Sequence, residues 1–151
     1  MKILVTGATG FIGSFIVEEA IRRGMETWAA VRASSSTKYL TDPRINFITL
    51  NLDSEEQLRE ALAPHRFDYV VHAAGVTKCL DRRDFFRVNT EGTKNLVRAV
   101  TSLGMPQRKF VFLSSLSVFG PAREELGYRP SVELDEGVRR SVEWYRDNKW
   151  I

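Results

Sequence analysis

Short apolar runs and helical patterns take turns along this chain. Lys2–Thr6 (KILVT) is a continuous apolar run of strand length, and Phe11–Gly24 sets Ile12, Phe15, Ile16 and Ala20 at helical spacing before closing on glycine. The strand signature returns at Thr27–Arg32 (TWAAVR), Ile45–Leu52 (INFITLNL), Asp68–Gly75 (DYVVHAAG) and Lys109–Ser115 (KFVFLSS). Between the last three of these lie two helical patterns. Ser54 caps EEQLREALA, whose acids stand in the first turn where the helix dipole favours them, and a long pattern runs from Arg83 to Leu103 and ends at Gly104. Continuous rather than alternating apolar strands, separated by helices, predict a parallel sheet covered on both faces. Right-handed crossovers favour the strand order 3-2-1-4-5. The expected fold is therefore α/β, a three-layer doubly wound parallel sheet of five strands in that order.

After Gly120 the rhythm changes. PAREELGYRPS reads as a turn-rich connection over 121–131, and Val132–Lys149 reads as a last helix with Leu134, Val138, Ser141, Val142 and Tyr145 on one face. The crossovers leave strands 4 and 5 bare on the side of the first helix, so this helix is expected to cover them. The whole chain, 1–151, is read as one domain: a nucleotide-binding core to residue 120, the connection, and a closing helix from 132.

Composition narrows the function. The net charge of +3 comes from dispersed basic residues with acids between them, which gives nucleic-acid binding little support. One cysteine, Cys79, and two histidines, His65 and His72, form no metal-ligand pattern. No apolar run reaches the roughly 18 residues of a membrane span, and the chain starts directly on a strand, so a cytoplasmic setting is expected.

The chemistry is concentrated in TGATGFIG. Gly7, Gly10 and Gly13 recur every third residue where a strand turns into a helix. Glycine there permits a sharp turn, lets a pyrophosphate reach the amides of a helix N-terminus, and lets the helix lie close to the strand. At the end of the second strand stands Arg32, followed by serines, where many NAD-binding proteins carry an acid for the ribose hydroxyls. A guanidinium suits a 2′-phosphate, which favours NADP over NAD; a solvated arginine in a loop is the alternative.

TGATGFIG, VVHAAG, VNTEGT and SSLSVFG together resemble, in order and spacing, the extended short-chain dehydrogenases of the NAD-dependent epimerase/dehydratase family. The resemblance implies a Rossmann-like domain binding a dinucleotide, and a nucleotide-sugar as substrate class. It implies that the backbone of Gly7, Thr9, Gly10 and Gly13 holds the pyrophosphate, with Phe11 and Ile12 at the helix start. Asn51 and Leu52 fall where the family sets an Asp and an apolar residue against adenine, Asn being a departure. Ala73, Ala74 and Gly75 would line the cofactor channel, and Asn89 would support the active-site geometry.

The family's catalysis uses a Ser or Thr after the fifth strand and a Tyr four residues before a Lys, whose ammonium lowers the phenol pKa from about 10. Ser115 fits the first role, while Phe119 stands where relatives often have Tyr. Tyr145 and Lys149 match the bare spacing of the pair. Yet Tyr145 lies on the apolar stripe of its helix, and LGYRPSVELDEGVRRSVEWY resembles the family's C-terminal end rather than its catalytic helix. The expectation is a cofactor-binding module, catalytically incomplete by itself, with a join near Pro121–Leu126. The alternatives are a minimal oxidoreductase using Ser115, Tyr145 and Lys149, and a non-enzymatic nucleotide-sensing module. Trp144, Trp150 and Ile151 offer a homodimer patch or local packing.

Overall fold

The computed structural model describes residues 1–77, 81–115 and 134–147. The chain divides into two compact units, Met1–Ser114 and Ser115–Ile151. In the first unit five strands form one sheet: β1 (Lys2–Thr6), β2 (Glu26–Val31), β3 (Ile45–Thr49), β4 (Tyr69–His72) and β5 (Lys109–Phe112). Every pairing is parallel and the order is β3-β2-β1-β4-β5, as the crossover rule predicts. Thr6, the last residue of β1, lies opposite both Ala30 and His72, so three strands end together at one edge of the sheet.

The alternation of side chains along β1 builds two cores. Ile3 and Val5 pack with Val17, Ala20 and Ile21 of α1 (Phe11–Arg22) and with Leu40 from the connection between β2 and β3. Leu4 faces the other side, where α2 (Glu55–Leu62) and α4 (Gly92–Ser102) pack together over Ile48, Phe67 and Val70 through Leu58, Leu62, Leu96 and Val100. The helices thus cover both faces. Ser54 caps α2 as expected, its hydroxyl accepting the Gln57 amide at 3.3 Å, with Glu55 and Glu56 in the first turn.

The helix read as continuous from Arg83 to Leu103 consists of α3 (Arg82–Phe85), a π-helical turn over Phe86–Glu91, and α4. The wider turn accommodates an extra residue, and it includes Asn89, whose side chain bonds away from the helix to Val76. Strand ends also fall short of the apolar runs. The ladder of β3 stops at Thr49, and Asn51 turns the chain towards α2.

In the second unit α5 spans Leu134–Asp147. Its exposed Arg139 bridges Glu136 and Glu143, and Arg140 also reaches Glu136. The side chains of Leu134, Val138, Ser141 and Tyr145, on which the expected closure of strands 4 and 5 depends, lie outside the described residues, as does the join near Pro121–Leu126.

Leu58 is fully buried between α2 and the sheet. Leu58→Ala is expected to lower stability by about 2–5 kcal/mol in urea unfolding, and Ser54→Ala by about 1 kcal/mol. Equal losses from the two would contradict this assignment of core and cap.

Candidate functional site

The glycine turn sits where β1 meets α1, at the carboxyl edge of the sheet. Gly7 has φ of +69°, a conformation that side chains disfavour. A Cβ there would also lie 2.6 Å from the Ala73 carbonyl and the Ala74 nitrogen, so the turn rests directly on the chain leaving β4. A Cβ on Gly13 would collide with the Gly7 carbonyl, which forces the first turn of α1 against the loop. Gly10 is exposed and provides no side-chain cap for α1, and the first turn contains no acid. The positive end of the α1 dipole therefore lies at the glycine turn, where the backbone leaves no space for a Cβ at Gly7 or Gly13. Thr9 is half-buried, while Phe11 and Ile12 are exposed at the helix start.

Strand order reverses between β1 and β4, the place where open parallel sheets form a crevice. Ala73, Ala74, Gly75 and Val76 make one wall of it. The Asn89 carboxamide accepts the Val76 amide at 2.8 Å and donates to the Val76 carbonyl at 2.9 Å, completing a two-way clamp. Behind this wall lies His72, only 1% exposed. Its Nδ1 is 2.6 Å from the Thr6 hydroxyl, and its Nε2 is 2.9 Å from that of Thr93. The Phe112 ring stacks on it with centroids 5.7 Å apart. Burial pushes the imidazole pKa down to about 4. His72 has no metal-ligand spacing in the sequence; its partners lie 66 and 21 residues away, and local pattern carries no sign of them.

On the far side of β1, Arg32 follows β2 directly. Its amide donates to the Ser35 hydroxyl at 3.2 Å, and no ion pair among the described residues holds its exposed guanidinium. Asn51 is engaged locally: it accepts the Asp53 amide and donates to Gln57. The carbonyl of Leu52 accepts from Asn95 of α4, and Leu52 is half-buried beside Gly92. Asp53 pairs with Arg87 at 2.8 Å, tying this turn to the π-helical turn.

The structure thus brings Gly7, Gly10 and Gly13 together with Ala73 and Ala74, and Gly75 with Asn89, at the carboxyl edge of the sheet, while Arg32 follows β2 and Asn51 and Leu52 follow β3. Ser115 is exposed, three residues beyond β5. The Tyr145 side chain and Lys149 lie outside the described residues. Among the described residues no cluster of His, Cys, Asp and Glu could hold a metal, and no helix is long and apolar enough to cross a membrane.

A doubly wound parallel sheet with a glycine turn at its switch point defines a Rossmann-like domain. The chain belongs to the NAD dependent epimerase/dehydratase family, whose model matches residues 3–142. It is 31% identical over 134 residues to a UDP-glucose 4-epimerase of Klebsiella pneumoniae, covering 80% of this chain and 93% of that sequence. Identity is 29% over 134 residues with UDP-glucose 4-epimerase 3 of rice (Oryza sativa subsp. japonica), covering 79% of this chain and 35% of that protein. Among solved structures, the Thermus thermophilus UDP-glucose 4-epimerase in complex with NAD superposes with a TM-score of 0.62 at 30% identity, over 69% of this chain and 35% of that one. The chain therefore spans about a third of the length of the rice and Thermus proteins.

The lowered His72 pKa makes stability depend on pH. Below about 6.5 the unfolded chain binds a proton that the folded chain refuses until about pH 4, so stability is complete above that window and falls through it. The expected loss is about 3 kcal/mol in all, at roughly 1.4 kcal/mol per unit. Urea unfolding between pH 7 and 4.5 should show a shallower decline in His72→Gln than in the parent. Parallel curves would contradict the assignment.

Proposed function

We propose that this chain binds a nicotinamide dinucleotide across the carboxyl edge of the sheet, as the cofactor module of a protein acting on a nucleotide-sugar. The close approach of Gly13 to Gly7 and of Gly7 to Ala73 carries the reading, because it sets the N-terminus of α1 against the end of β1 and the chain leaving β4, where a helix N-terminus suits an anionic group. On this reading the Gly7–Gly13 backbone, with Thr9, Phe11 and Ile12, holds the pyrophosphate. Leu52 and Asn51 flank adenine, and the Ala73–Gly75 wall, clamped by Asn89, takes the nicotinamide half. When bound, the dinucleotide would supply hydride transfer, and the chain's own residues orient it and exclude water.

Arg32 supports NADP over NAD, since its guanidinium is exposed directly after β2, is held by no ion pair among the described residues, and has the planar form that pairs with a 2′-phosphate. The nucleotide-sugar class rests on the named activities of the similar epimerases. Ser115 is assigned to orient a substrate oxygen. Tyr145 and Lys149 are given no catalytic role, which leaves the chain catalytically incomplete by itself; turnover abolished by Tyr145→Phe would overturn that assignment. A cytoplasmic setting and a homodimer complete the proposal, supported by the single cysteine and by the apolar Trp144, Trp150 and Ile151.

Calorimetric titration with NADPH and NADH in parallel tests this reading. Saturable binding is expected, tighter for NADPH, and Arg32→Ser should reduce the preference about tenfold. An unchanged ratio in Arg32→Ser would remove Arg32 from the site. Absence of binding by either dinucleotide at millimolar concentration would overturn the function.

A further inference from the structure

The hydroxyls around His72 fix where its proton must be. Thr93 Oγ lies 2.7 Å from the Asn89 carbonyl oxygen, which can only accept, so the single Thr93 proton is committed there. Thr93 Oγ must then accept from His72 Nε2, which therefore carries the ring hydrogen. In the neutral ring Nδ1 is an acceptor, and the Thr6 hydroxyl donates to it across 2.6 Å. Thr6 Oγ is left to accept the Ala74 amide at 3.3 Å. The opposite tautomer would turn the Thr93 proton away from the Asn89 carbonyl and leave the Thr6 proton without an acceptor among these groups. A doubly protonated ring would also strand the Thr6 proton.

The result is a directed relay: Ala74 amide to Thr6, Thr6 to His72, His72 to Thr93, Thr93 to the Asn89 carbonyl. Both ends arrive at the same short wall. Ala74 belongs to it, and Asn89 grips Val76 two residues further on. The same Thr6 precedes Gly7, whose turn rests on Ala73.

We infer that His72, as the neutral Nε2–H tautomer, is a positioning residue that holds the Ala73–Val76 wall at its working distance from the glycine turn, and so sets affinity for the dinucleotide without touching it. This rests on the proposed cofactor site for its consequence, though not for its geometry. The groups facing the ring are the Thr6 and Thr93 hydroxyls and the rings of Phe110 and Phe112.

Three readings of one set of proteins test it. Imidazole nitrogen NMR of the ¹⁵N-labelled parent should show a protonated Nε2 and an unprotonated Nδ1 at pH 7; a protonated Nδ1 overturns the relay. Thr93→Val breaks the link to Asn89 while keeping side-chain shape. It should speed hydrogen exchange at the Ala74 amide and weaken NADH binding about five- to tenfold, with Thr93→Ser restoring both. Parent-like exchange and affinity in folded Thr93→Val overturn the proposal. Should Thr93→Val not fold, His72→Gln takes its place: its amide can still donate to Thr93 but leaves Thr6 without its acceptor, so faster Ala74 exchange is expected and unchanged exchange overturns the proposal. If the parent binds neither NADH nor NADPH, the dinucleotide reading fails alone, and the relay is decided by the ring nitrogens and the Ala74 amide.

Discussion

The structure depends on one close backbone contact. Gly13 presses on Gly7, and Gly7 presses on Ala73, so helix α1, the turn after β1 and the chain leaving β4 meet with no side chain between them. Any Cβ at Gly7 or Gly13 would push these three apart, and the crevice at the strand reversal would lose its floor. Everything else at the carboxyl edge is arranged around this contact. The parallel register brings Thr6, Ala30 and His72 level, the cores behind them fix the heights of α1 and α4, and α4 delivers Thr93 to the back of the wall.

Backbone packed this tightly needs its polar groups satisfied, and the molecule meets that need with buried hydroxyls and one neutral imidazole. Among the described residues no buried side-chain nitrogen or oxygen lacks a partner. A fully satisfied buried network can specify a single arrangement, whereas a partly satisfied one costs stability. His72 works in this setting because its two nitrogens differ, one donating and one accepting, across the strand between Thr6 and Thr93. Dispersed ion pairs such as Glu19 with Arg22 and Arg23, or Asp42 with Arg44, lie on the surface and contribute little by comparison.

Much of this was legible in the residues. Continuous apolar strands announced a parallel sheet, the Ser54 cap marked α2, and the crossover rule predicted the strand order. The glycine spacing pointed to the turn because Gly7 and Gly13 carry out a steric task that no other residue can. What local pattern could not show were contacts between distant elements. The π-helical turn is only six residues long, too short to break the helical pattern on either side, so Arg83–Leu103 reads as continuous, and the clamp of Asn89 on Val76 that accompanies the wider turn spans 13 residues. His72 reads as part of an apolar run, and only the sheet register reveals its partners. Asn51 stands where the resemblance puts an adenine contact, but its carboxamide is occupied in shaping the turn before α2. These local hydrogen bonds give Asn51 a structural task that the likeness does not describe.

On the proposed function, the glycine turn and the start of α1 form an anion seat for a dinucleotide. An amide-resolved NMR titration of the ¹⁵N-labelled chain with NADH addresses it directly. The amides of Gly7 to Gly13 are expected to shift most and saturate together, followed by those of Ala73 to Val76. Shifts confined to other surfaces, or none at saturating NADH, would contradict it.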